Sequence, residues 1–162
     1  MKYAILYESK TGNTEILARA IYDVLDTNSK ICMKISDDME IPDADMYFVG
    51  FPIRKKSCSM RVIDCLEEIE YGKVVLFATC GMKPTDKYRD KLEDSLSVWL
   101  PDEIEYKGLF LSQGTTSESQ KEIFYRENPE YIEYLTDMFE EGDTHPNEND
   151  LQRLEEFIEQ II

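Results

Sequence analysis

The sequence predicts an α/β fold: a three-layer sandwich in which one five-stranded parallel sheet lies between helices. Three observations carry this. Short apolar runs alternate along the chain with segments whose apolar residues recur at helical spacing. The connections between runs are too long for hairpins, so successive strands run parallel with a helix crossing between them. The 162 residues, 42% of them apolar, suffice for one packed domain with a buried core.

The elements follow in order. Tyr3-Ala4-Ile5-Leu6-Tyr7 reads as a buried first strand. From Asn13 to about Asp26, Leu17, Ala20, Ile21, Val24 and Leu25 mark one face of a helix. Lys30 to Ile35 and Met46 to Phe51 are the second and third strands, and Met60, Ile63, Leu66 and Ile69 the next helix. Val74 to Thr79 is the most apolar strand. Tyr88, Leu92, Leu96 and Trp99 make a helix stopped by Pro101, with Trp99 as a core anchor. Tyr106 to Ser112 is the fifth strand. Leu151, Leu154, Phe157, Ile158 and Ile161 form a final helix, capped from Asn147 to Asp150. The predicted domain spans 1–162, with a helical insertion at about 117–146. Its two short helices carry Ile123, Phe124, Tyr125 and Tyr131, Ile132, Leu135, Met138, Phe139, residues expected to leave water.

Charge narrows the function. Eighteen basic residues against 34 acidic ones leave a net charge of −16. That field repels phosphate backbones and anionic lipid, which argues against nucleic-acid binding and membrane docking. No apolar run reaches the roughly 20 residues of a membrane-spanning helix, and the first residues form a strand pattern in place of a signal peptide, so a cytoplasmic protein is expected. Cys32, Cys58, Cys65 and Cys80 contain no C-x-x-C pair, which speaks against a zinc site. They read as packing residues. A single histidine, His145, leaves almost no material for a Ser-His-Asp triad.

In an open parallel sheet, ligands bind beyond the carboxyl ends of the strands where strand order reverses. After the first strand stands Ser9-Lys10-Thr11-Gly12-Asn13-Thr14, running straight into a helix. Free N–H groups at a helix start favour an anion, hydroxyls and an amide add donors, and Gly12 permits close approach. One capping residue is enough for a helix, so this run is in excess of a cap. It is not G-x-x-x-x-G-K-[ST], nor G-x-G-x-x-G. A phosphoacceptor domain needs an aspartate at the end of strand three, where the chain reads Val49-Gly50-Phe51. The C-x5-R of small phosphatases is absent at all four cysteines.

The S-K-T-G-N-T run resembles the FMN phosphate loop of the flavodoxin family. Asp43-Ala44-Asp45 before the strand ending Gly50-Phe51-Pro52, Ala78-Thr79-Cys80-Gly81, and His145 to Leu151 before the last helix are similar to further family segments in the same order. The resemblance implies strand order 2-1-3-4-5 and noncovalent FMN. It implies that Ser9, Lys10, Thr11, Gly12, Asn13 and Thr14 hold the phosphate. Pro52, Ile53 and Arg54 would flank one side of the ring, and Thr79, Cys80, Gly81 and Met82 its other side and edge, with Ser112-Gln113-Gly114 as weaker candidates. Residues 52–58 carry neither the family's aromatic nor its loop glycine, leaving Met82, Ile53 or Tyr88 to cover the ring. Arg54, Lys55 and Lys56 would form a positive patch there, or a solvated cluster. The function implied is electron transfer to or between partner proteins, each docking through a basic face of its own. The alternatives are an FMN-dependent reductase of a small molecule such as a quinone, tetrapyrrole or metal chelate, and an accessory subunit of a reductase.

Overall fold

A computed structural model describes residues 1–162. The strands are β1 (Tyr3–Tyr7), β2 (Lys30–Lys34), β3 (Met46–Pro52), β4 (Lys73–Cys80) and β5 (Glu105–Gln113). They form one sheet of order β2-β1-β3-β4-β5, parallel throughout. The helices are α1 (Asn13–Val24), α2 (Met60–Glu68), α3 (Asp86–Leu96), α4 (Glu118–Glu127), α5 (Ile132–Gly142) and α6 (Glu148–Ile161).

Both faces of the sheet are covered, which is why the strands are apolar on consecutive residues and not alternately. Leu6, Val49, Leu76 and Leu111 point to one side, where Leu66 of α2 and Leu92 of α3 join them. Ile5, Phe48, Val75 and Phe110 point to the other, against Leu17 and Ile21 of α1 and Leu154 and Ile158 of α6. Truncating a fully buried leucine such as Leu76 to alanine costs about 2–5 kcal/mol. Trp99 sits only partly buried against the first core.

Local signals set the helix starts. Ser59, Thr85 and Ser117 cap α2, α3 and α4, their side-chain oxygens accepting from the N–H groups of Val62, Tyr88 and Gln120. At α6, Asn147 Oδ1 accepts from Asp150 N while Asp150 Oδ2 accepts from Asn147 N, a reciprocal capping box. Asp150 also accepts from Arg153 and pairs with His145 Nδ1 at 2.5 Å, so the one histidine is bound into a helix cap.

The α4–α5 hairpin follows β5. Leu135, Met138 and Phe139 bury its inner stripe, with Phe124, Tyr125 and Met82 packed around them. Gln113 at the end of β5 holds it to the sheet, its Nε2 donating to Met138 O at 3.1 Å and to Gly81 O at 3.1 Å. The expectation that the whole apolar run leaves water is corrected here. Ile123, Tyr131, Ile132 and Tyr134 remain exposed, because a two-helix hairpin lying on a sheet buries only one stripe.

Candidate functional site

The parallel register brings the carboxyl ends of β1, β3, β4 and β5 to one edge. Tyr7 lies opposite Gly50, Pro52 opposite Thr79 and Cys80 opposite Gln113. The segments that follow therefore share that edge, and four of them enclose a cleft. Lys10 and Thr11 form one wall, Pro52, Ile53 and Arg54 a second, and Thr79, Cys80 and Gly81 a third. Gly114 to Ser117 with Ser119 and Gln120 close the fourth. The cleft straddles the β1/β3 boundary, where the sheet order reverses.

The loop after β1 is built to receive an anion. Gly12 holds φ of 91°, a left-handed turn that admits glycine without strain, and the space where a Cβ would lie is open. Ser9 Oγ accepts from Gly12 N at 3.2 Å and from Glu15 N at 3.4 Å, so it caps the turn and keeps its own O–H free. Asn13 Nδ2 donates to Thr11 Oγ1 at 2.9 Å, which leaves the Thr11 hydrogen free to donate. The N–H groups of Lys10 and Thr11 have no partner within the protein. Thr14 is buried, and its hydroxyl meets that of Thr79 at 3.0 Å. Thr14 reaches an anion only by donating while Thr79 donates to it.

The loop after β3 is a tight hairpin. Arg54 and Ser57 exchange two backbone hydrogen bonds of 2.8 Å, with Lys55 at φ 47° and Lys56 at φ 61° between them. Two successive left-handed residues define a type I′ turn, which normally takes Asn-Gly. The chain thus makes the positive-φ turn without the glycine, at about 1–2 kcal/mol per residue. Of the basic trio, only Arg54 lines the cleft; Lys55 and Lys56 are exposed. Behind the hairpin, the buried Glu8 accepts from Ser59 Oγ at 3.0 Å and lies 3.9 Å from Arg61, tying the end of β1 to the start of α2. No motif in the sequence marked Glu8.

Burial pushes the Cys58 thiol up to about 11 and the Cys80 thiol up to about 12, so both stay protonated at neutral pH. Of the candidates for covering a ring, Ile53 lines the cleft. Met82 packs under α5, and Tyr88 packs against the core beneath α3. Thr115 and Thr116 were missed by sequence reasoning. Their signal was nonetheless present: Gly114-Thr115-Thr116-Ser117 repeats, before α4, the small and hydroxyl composition that singled out 9–14 before α1.

A family profile described as a flavodoxin domain matches residues 4–159. The chain belongs to the flavodoxin family. Two relatives named flavodoxin-like domain-containing protein BilS are similar along their length. The one from Clostridioides difficile (strain CD3) is 28% identical, covering 100% of this chain and 97% of the relative. The one from Clostridium symbiosum (strain WAL-14163) is 25% identical over 98% and 94%. Among solved structures, a short-chain flavodoxin associated with a non-canonical PDU bacterial microcompartment superimposes with a TM-score of 0.51 at 15% identity, covering 99% and 97% of the two chains. A Lactobacillus acidophilus NCFM flavoprotein in complex with FMN gives 0.50 at 16% identity over 68% and 92%. These likenesses establish a shared fold. This flavodoxin keeps the family's strand order and carries a cleft with no aromatic side chain on its walls.

Proposed function

We propose that this flavodoxin binds one FMN in the cleft and carries electrons to or between partner proteins in the cytoplasm. The observation that carries the reading is the pair of unpartnered N–H groups at Lys10 and Thr11, beside Gly12, opening on the cleft. A dianionic phosphate satisfies those donors and the dipole of α1 together. The FMN-bound state of the Lactobacillus acidophilus flavoprotein supports the same group here.

The residues present fit the cofactor. Lys10, Thr11 and the Ser9 hydroxyl would hold the phosphate, Gly12 allowing the approach. Asn13 orients Thr11, and Thr14 braces the turn from below. Pro52, Ile53 and Arg54 would flank the ring on one side, with Thr79, Cys80 and Gly81 on the other. Bound FMN supplies reversible one- and two-electron transfer, which no side chain of the cleft supplies. Arg54 contributes a positive charge where reduction adds a negative one. The four free cysteines suit a reducing compartment, and the net charge of −16 suits steering onto a partner's basic face.

The bare walls favour a second reading. With no aromatic over the ring, a small acceptor has room to approach, as in a reductase of a quinone, tetrapyrrole or metal chelate or in an accessory subunit of one. Titration of the apoprotein with FMN tests the cofactor. Tight one-to-one binding with the visible flavin band is expected. Thr11→Val should weaken FMN by about 10-fold or more, since a hydrogen bond to a charged group is worth about 1.5–3 kcal/mol, and should leave riboflavin unaffected. No binding of FMN by the unaltered protein overturns the assignment. Steady oxidation of NAD(P)H with a small acceptor, without a partner protein, would favour the reductase over the carrier.

A further inference from the structure

The segment Gly114–Ser117 holds a group that the fold leaves unsatisfied. Thr116 is 4% exposed, and its Oγ1 is sealed from water without a hydrogen-bond partner. A buried hydroxyl in that condition destabilises the protein, and native structures retain few of them. Its position is specific. Thr116 is a wall residue of the cleft, and its hydroxyl lies against Gly81, where a Cβ on residue 81 would stand 2.2 Å from it. Only a glycine at 81 leaves room for the hydroxyl. The neighbouring N–H groups of Thr115, Thr116 and Ser117 also find no partner in the protein. Gly114 N is bonded to Cys80 O at 2.8 Å, and Gln113 Nε2 to Gly81 O, so this loop is fastened to the wall formed by Thr79, Cys80 and Gly81.

We infer that Thr116 is a ligand for the ring and ribityl end of the flavin, an inference that rests on the proposed FMN site. The reasoning is one of matching. The phosphate has its own donors at residues 9–11, whereas Thr116 stands at Gly81, beside the segment that would flank the ring. The uncharged part of the flavin carries hydroxyls on the ribityl chain and carbonyl and imide groups on the ring. Any of these satisfies a threonine hydroxyl, which both donates and accepts. A rotation of about 120° about χ1 carries the hydroxyl to another staggered position, so the group can leave Gly81 without backbone movement. Thr116 then acts as a positioning residue whose partner arrives with the cofactor. The hydrogen bond that Thr116 lacks within the protein becomes part of the binding free energy.

The test compares Thr116→Val and Thr116→Ser with the unaltered protein in three readouts: affinity for FMN, affinity for riboflavin and thermal midpoint of the apoprotein. Valine has the shape of threonine without the hydroxyl. The expected result is a loss of about 10-fold in affinity for FMN and riboflavin alike, with an apoprotein midpoint equal or higher, because the unsatisfied group is gone. Serine, which keeps the hydroxyl, should restore most of the affinity. Unchanged affinity of the valine variant for both ligands overturns the inference. So does a loss confined to FMN, which would place Thr116 at the phosphate, or a loss that serine does not restore. Failure of the unaltered protein to bind either ligand instead overturns the cofactor site itself.

Discussion

The hydroxyls of Thr14 and Thr79 meet at 3.0 Å inside the protein, joining the first turn of α1 to the end of β4 across 65 positions of sequence. Each is the other's only side-chain partner, and both residues are buried. The loop that would hold a phosphate is therefore braced by the strand that would face the ring.

That bond makes a stability prediction. Thr14→Val or Thr79→Val alone strands the remaining hydroxyl and should cost about 1–3 kcal/mol. The double variant should cost less than the sum of the two, because removing both partners leaves no orphan. Urea denaturation of the four proteins of the cycle measures the coupling. Additive losses would show that the hydroxyls do not depend on each other.

The hairpin tip offers the opposite sign. Lys55 and Lys56 occupy two left-handed positions, so Lys55→Asn with Lys56→Gly should stabilise the protein by about 1 kcal/mol or more, relieving the steric cost against a smaller loss of chain entropy. Thermal unfolding should register a higher midpoint. A lower midpoint would mean that the lysine side chains hold the turn by contacts of their own.

Arg54 separates from its two neighbours by position. It lines the cleft, whereas Lys55 and Lys56 project into solvent. Under the FMN reading, Arg54→Gln should lower the potential of the step that makes the flavin anionic by tens of millivolts, an order-of-magnitude figure for a partly screened cation near the ring. Changing the two lysines together should move it less. Equal shifts from all three would point to the general field of the protein and not to the cleft.

Asp150 ties stability to pH. Burial alone would raise its carboxyl, but hydrogen bonds from Asn147 N, His145 and Arg153 outweigh that and hold it below the ordinary carboxylate range. A depressed folded value means the contribution is complete above the unfolded value near 4 and fades as pH falls through the folded one. Asp150→Asn should therefore cost about 1–3 kcal/mol at pH 7 and progressively less in acid. Denaturation curves at pH 7 and at about pH 3 check the sign. A cost that is constant with pH would assign it to packing.

What the residues determine by themselves is local. Continuous apolar runs such as Val74 to Thr79 specify strands covered on both faces, and the spacing of Leu151, Leu154 and Ile158 specifies a helix with one buried stripe. Asn147 to Asp150 specify the cap, and Ser9 to Thr14 specify a donor-rich turn, because each depends on neighbours a few positions away. Tertiary structure decided the rest. Thr116 faces Gly81, and Glu8 meets Ser59, only because parallel pairing carries four strand ends to a common edge. Lys55 and Lys56 accept a conformation that their own preference opposes. The two-residue turn between Arg54 and Ser57 imposes it, with the buried strand before it and the capped helix after it fixing both ends. Side-chain periodicity reports which face is buried, whereas the pairing of distant segments is set by register, loop closure and packing acting together.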